Sequence, residues 1–165
     1  MSQSFDFQQQ LKRGEAGKKT LDAYFGQRYQ IRRATMAEQR RGIDRFFINP
    51  ANGRVWSLDY KTDTRAAQTG NVFIETKTYP DREQSGWVYT SEAGWLFYYL
   101  PDIWTVYAVS FPYLRAKALP IWAARYPLRS ARNKTYTTYG LIVPVADFAR
   151  CASKTFDLRQ ELPHG

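Results

Sequence analysis

Asp44, Asp59 and Lys61 are the residues of this chain whose types and spacing point to chemistry. Two carboxylates held side by side need cations, and Lys61 neutralises one of them, so a divalent metal accounts for the second. Oxygen-only ligation by carboxylates, a backbone carbonyl and water suits Mg²⁺ or Mn²⁺. The composition removes the competing chemistries. Cys151 is the only cysteine and His164 the only histidine, which excludes a disulfide framework, a Cys/His zinc site and His-based triads. Catalysis, if present, runs on carboxylates, lysine and metal. The plainer alternative is a solvated strand face that happens to carry three charges.

The element that must position these residues is a β-hairpin. Gly42 to Ile48 and Val55 to Lys61 are rich in Val, Ile, Phe, Trp and Tyr and flank Asn52-Gly53, a dipeptide suited to a two-residue turn with φ > 0 at both central positions. A turn there sets Asp44 opposite Lys61 and Phe46 opposite Asp59. All three charged residues then project from one side of the ribbon, in line with the apolar Phe46 and Ile48.

The spacing and types of Asp44, Asp59-Tyr60-Lys61 resemble the signature of the PD-(D/E)XK nuclease superfamily, which includes restriction endonucleases and archaeal Holliday junction resolvases. Gly42-Ile43-Asp44 stands where the nominal pattern has Pro-Asp. The resemblance implies a metal-dependent DNA endonuclease in which Asp44, Asp59 and the Tyr60 carbonyl hold Mg²⁺ or Mn²⁺ and Lys61 serves the attacking water. Members that cut both strands are often homodimers. Asp-x-Lys followed by Thr69-Gly70-Asn71-Val72-Phe73-Ile74-Glu75 also resembles small phage and bacterial members, with Glu75 a further metal-side acid. The alternative for Glu75 is an edge-strand charge that discourages aggregation. The resemblance further offers Glu15, in Gly14-Glu15-Ala16-Gly17, as a catalytic helper on the preceding helix; a salt bridge to Lys18 or Lys19 is the other reading.

The chain of 165 residues fits one domain, with 44 % apolar and 16 % aromatic residues. An opening helix is expected over 7–25, with Phe7, Leu11, Lys18, Leu21 and Phe25 on one side and Gly26 ending it. A strand from Tyr29 to Thr35, a basic connection over 36–41, the hairpin and a strand over 71–77 follow. The spacing then predicts a helix from about Thr90 to Leu100 and an apolar strand over 103–111. The resulting order, α-β-β-β-(β)-α-β, makes a mixed α/β (α+β) fold resembling the αβββαβ restriction endonuclease-like core over residues 7–111. A C-terminal basic extension over 112–152 adds a helix broken at Pro120, a basic loop over 127–134, a strand over 136–143 and a short helix from Pro144; the tail from Ser153 reads as loose.

Charge points to the partner. Lys and Arg number 24 against 15 Asp and Glu, a net +9 with a pI near 9.7. No acid occurs from Ile103 to Ala146, whereas Arg125, Arg129, Arg132 and Lys134 lie there as candidate nucleic-acid contacts. A DNA partner is expected rather than a membrane, and no leader or membrane span interrupts the polar start, which suggests a cytoplasmic protein. The function of a different class that fits the same features is a nucleic-acid-binding module without cleavage.

Overall fold

The computed structural model describes residues 2–79, 84–132 and 136–164, so the candidate Lys134 lies outside the described residues. The fold is a mixed α/β arrangement built on two sheets. Helix α1 (Ser2–Phe25) leads into β1 (Gln30–Arg33), α2 (Met36–Arg40), β2 (Arg45–Ile48) and β3 (Val55–Thr62). A short α3 (Ala66–Thr69), β4 (Asn71–Tyr79), β5 (Gln84–Ser85) and α4 (Trp87–Thr90) precede β6 (Trp95–Leu100) and β7 (Thr105–Ser110). The chain closes with α5 (Phe111–Tyr113), a π-turn (Leu114–Ala118), α6 (Leu119–Arg125), β8 (Leu128–Arg132), β9 (Thr137–Pro144), α7 (Val145–Arg150) and β10 (Lys154–Asp157).

The first sheet runs β1-β2-β3-β6-β7-β10 and the second β5-β4-β9-β8. Among the described strands only β3 and β6 pair in parallel. Strands β3 and β6 occupy the middle of the first sheet and are covered on both faces. On one face α1 buries Leu21, Tyr24 and Phe25 against Phe47, Leu58, Tyr60 and Phe97. On the other, Leu96, Tyr98 and Val109 meet Val72, Ile74 and Leu141 of the second sheet together with Phe111, Leu114 and Trp122.

Five expectations are corrected. Trp95–Leu100 is a strand and not the end of a helix: six apolar residues buried on both faces carry no period, and their aromatic weight favours an extended chain. The basic stretch expected as a loop forms β8, an exposed edge strand. Residues 154–162 are held in place, because β10 pairs with β7 and Phe156, Leu158 and Leu162 pack against the α1-side core. The connection over 36–41 contains a helix turn closed by a Thr35/Glu38 capping box. The helix break expected at Pro120 takes the form of the π-turn just before it, which accommodates the missing N–H without ending the helix.

The hairpin forms in a different register. Arg45 pairs with Leu58 and Phe46 with Ser57, a slide of two residues from the expected pairing. The turn is longer than Asn52-Gly53: Asn49 N–H and Arg54 O close it at 2.8 Å, Asn49 Oδ1 accepts from Ala51 N–H, and Gly53 takes the left-handed φ of 70°. Because side chains alternate with a period of two, that slide keeps Asp59 and Lys61 on their expected face.

Candidate functional site

Asp59 is 1 % exposed, the most buried acid among the described residues. It points from the centre of the first sheet toward the second, beside Lys61, whose Nζ lies 2.8 Å from Oδ1. That contact is an ion pair without hydrogen-bond alignment, and neither carboxylate oxygen has a hydrogen-bond partner among the described residues. Ser91 lies nearby, but its Oγ donates to the Gly42 carbonyl at 3.0 Å. Burial raises the Asp59 pKa; Lys61 pulls it down and the charge on Asp44 pushes it up again.

Asp44 sits differently from expectation. Its N–H donates to the Leu58 carbonyl at 2.8 Å although Leu58 is paired with Arg45, so two residues of one strand face one of the other and the alternation breaks there. Its carboxylate accepts from the Tyr60 N–H at 2.8 Å and from Lys18 Nζ at 3.0 Å. The N–H and C=O of one strand residue point the same way, so the Tyr60 carbonyl also faces the Asp44 side. Lys18 reaches Asp44 because α1 crosses the end of β3 at Gly17, where an added Cβ would lie 2.1 Å from Thr62 Oγ1. Its place in the predicted inner stripe of α1 was the sequence signal for this contact.

Glu15 does not join them. Its side chain is 63 % exposed and 3.9 Å from Lys18. Residues 8–16 of α1 are exposed or half-exposed, Leu11 at 60 %, so among the described side chains the stripe that reaches the sheet begins only at Gly17. On the core-facing side of α1, Asp22 instead binds Arg45 with Nε–Oδ1 at 3.0 Å and Nη2–Oδ2 at 3.0 Å, and accepts from Tyr60 Oη at 3.2 Å. This part-buried network fixes α1 over β3, and no sequence signal marked Arg45's part in it.

A cleft of about 510 Å³ opens beside Lys61, lined by Gln10 and Arg13 of α1, Thr62 to Arg65 after β3, and Phe73, Glu75, Trp87 and Tyr98. Lys61 Nζ lies 5.6 Å from the Trp87 ring centre. Glu75 is half-buried on the cleft side of β4, which lies between β5 and β9, so it is not an edge charge. Burial raises its pKa, while Thr78, Lys61 and the Trp87 N–H oppose the rise. Asp63 is fully engaged: Oδ1 accepts from the Arg65 and Ala66 N–H groups, and Oδ2 from Tyr98 Oη at 2.6 Å.

The acid-free stretch does not form one patch. Glu75 pairs with Gly140 and Gly140 with Arg129, and directly opposed residues share a face, so Arg129 lies in the row that leads to the cleft. Arg132, three residues on, falls on the opposite face of β8. Arg125 ends α6, stacked at 5.6 Å on Tyr126.

Buried Asp59 oxygens without a hydrogen-bond partner among the described residues, Oδ1 ion-paired to Lys61 alone, are the feature that fits a bound cation. Among the described residues, no three His, Cys, Asp or Glu side chains gather closely enough to hold one unaided. Two carboxylates and the Tyr60 carbonyl, completed by water and a substrate phosphate, form the donor set available here, a kind Mg²⁺ accepts. No helix among the described residues is long and apolar enough to cross a membrane. Compared with protein-family models, curated proteins and solved structures, the chain has no match.

Proposed function

We propose that the chain is a metal-dependent phosphodiesterase that hydrolyses DNA with a two-carboxylate and lysine site of the PD-(D/E)XK kind. The observation that carries this reading is Asp59, 1 % exposed, ion-paired to Lys61 and with neither oxygen hydrogen-bonded among the described residues, two residues before a lysine that opens on a cleft lined by Arg13 and Arg65 as well as Asp63 and Glu75. The strand order supports it: α1 precedes an antiparallel β1-β2-β3 meander, and β6 then joins β3 in parallel, although the crossover carries α3, β4, β5 and α4 in place of a single long helix.

Asp59 and Asp44 would hold Mg²⁺ or Mn²⁺ with the Tyr60 carbonyl. The ion, when bound, supplies Lewis-acid polarisation of the phosphate and an acidified water. Lys61, 33 % exposed, orients that water and offsets the negative charge that grows on the phosphoryl oxygens. Arg13 and Arg65 at the cleft walls hold flanking phosphates, and Glu75, near Lys61, limits how far that ammonium can move. Incubation with linear, nicked and junction DNAs in Mg²⁺, Mn²⁺ or EDTA tests the reading; cleavage that disappears in EDTA is expected.

One observation favours a non-catalytic nucleic-acid-binding module on the same fold. Each carboxylate already has its own lysine, Lys18 on Asp44 at 3.0 Å and Lys61 on Asp59 at 2.8 Å, so charge is balanced without metal. DNA binding with no cleavage under any of these conditions selects that reading.

For either reading, duplex DNA laid along the cleft meets Arg129 and not Arg132. Arg129→Ala is expected to flatten the log-log salt dependence of DNA affinity by about 0.9, the value for one lost phosphate contact, and Arg132→Ala to leave it unchanged. Equal effects of the two would place the DNA across the β8 edge instead.

A further inference from the structure

The face of the first sheet opposite the cleft is only partly covered by α1. Beyond the helix end, a trough of about 440 Å³ is left open between Tyr29 and β10. Phe47 and Phe97 form its floor, and half-buried Tyr29, Trp56, Trp95 and Phe156 its walls. Tyr29 stacks on Phe47 at 5.3 Å with an 18° tilt and meets Trp56 edge-on at 5.7 Å, which holds the rings as a fixed set of flat surfaces. The charged residues lining the trough are Arg28 and Lys154, and the Arg54 guanidinium lies over the Trp56 ring at 5.2 Å. Among the described residues no carboxylate lines it.

We propose that this trough is a second nucleic-acid site, one that takes an unpaired base of a single strand against Trp56 and Trp95 with the neighbouring phosphates on Arg28, Arg54 and Lys154. Flat aromatic walls select a planar ligand because every base presents a π-face, and stacking is insensitive to sequence. Cations at the rim with no opposing acid select a polyanion over an uncharged apolar chain. The site stands apart from Asp59 and Lys61, on the other face of β3, and needs no metal, so its failure leaves the cleavage reading untouched and the converse also holds.

The test uses the full chain in EDTA. An eight-residue oligothymidylate is titrated while tryptophan emission is followed, beside an abasic deoxyribose-phosphate oligomer of equal length and an uncharged apolar peptide. Quenching by the oligothymidylate and at least about 10-fold tighter binding than the abasic oligomer are expected. Trp56→Ala is expected to lose about 10-fold in oligothymidylate affinity, and Lys154→Glu, at an exposed rim position, to lose affinity without a change in melting temperature. Equal affinity for the abasic oligomer, tighter binding of the peptide, or full affinity in Lys154→Glu overturns the proposal. Should Trp56→Ala fail to fold, the abasic comparison and Lys154→Glu decide the matter.

Discussion

Asp59→Asn raises the stability of the metal-free protein at neutral pH and abolishes divalent-ion binding. Burial lifts the Asp59 pKa above its ordinary value of 3.8, so the native state binds this proton more tightly than the unfolded chain does. Between 3.8 and the raised native value the folded state therefore carries more protons. Stability falls as pH rises through that window, and above it the whole penalty of the buried charge is in force. Asparagine keeps the shape and removes the charge; Lys61, 33 % exposed, can turn to water. A gain on the order of 1 to 3 kcal/mol is expected near pH 7, with the wild type and the variant converging below pH 4. Thermal melts across that range, with calorimetric titration of Mg²⁺ and Mn²⁺, make the measurement. A variant less stable than wild type at pH 7 would mean that Lys61 fully compensates the charge, and retained ion binding would remove Asp59 from the ligand set.

Lys61→Ala has the opposite signature. Without its ammonium, Asp59 keeps a buried charge with no counter-ion, a loss of about 3 to 5 kcal/mol in EDTA. Divalent ion should restore much of that stability, because the carboxylate regains a cation and a neighbouring positive charge has gone. Turnover should nevertheless fall by roughly 100-fold or more, since the lost group acts on the water and the developing charge and not on the ion. The pairing of rescued melting temperature with unrescued cleavage separates this role from a merely structural ion pair, for which metal would rescue both. Wild-type cleavage rates in the metal-loaded variant would end the catalytic assignment of Lys61.

The elements that hold the site could be read locally. Apolar alternation around Asp44 and Asp59 marked β2 and β3, Gly26 marked the end of α1, and Asp59-Tyr60-Lys61 placed an acid and a lysine on one strand face whatever the register, because a slide of two residues preserves alternation. Charge composition and the lack of a second histidine or cysteine narrowed the chemistry without any structure.

Other features were decided by tertiary contacts that no local pattern encodes. Trp95–Leu100 became a strand because both of its faces found apolar partners, and a residue run buried all round has no period to read. Leu128–Arg132 and Lys154–Asp157 extend only because β9 and β7 offered them free edges. The break in alternation at Asp44 and the close pass of Gly17 over Thr62 brought Lys18, and not Glu15, to the first carboxylate. Residue types and short-range alternation thus determined that Asp59 and Lys61 stand together, whereas which cation answers Asp44, and which arginines share the cleft, followed from how α1 and the second sheet close on β3, a matter of long-range packing in which each surface is defined by its partner.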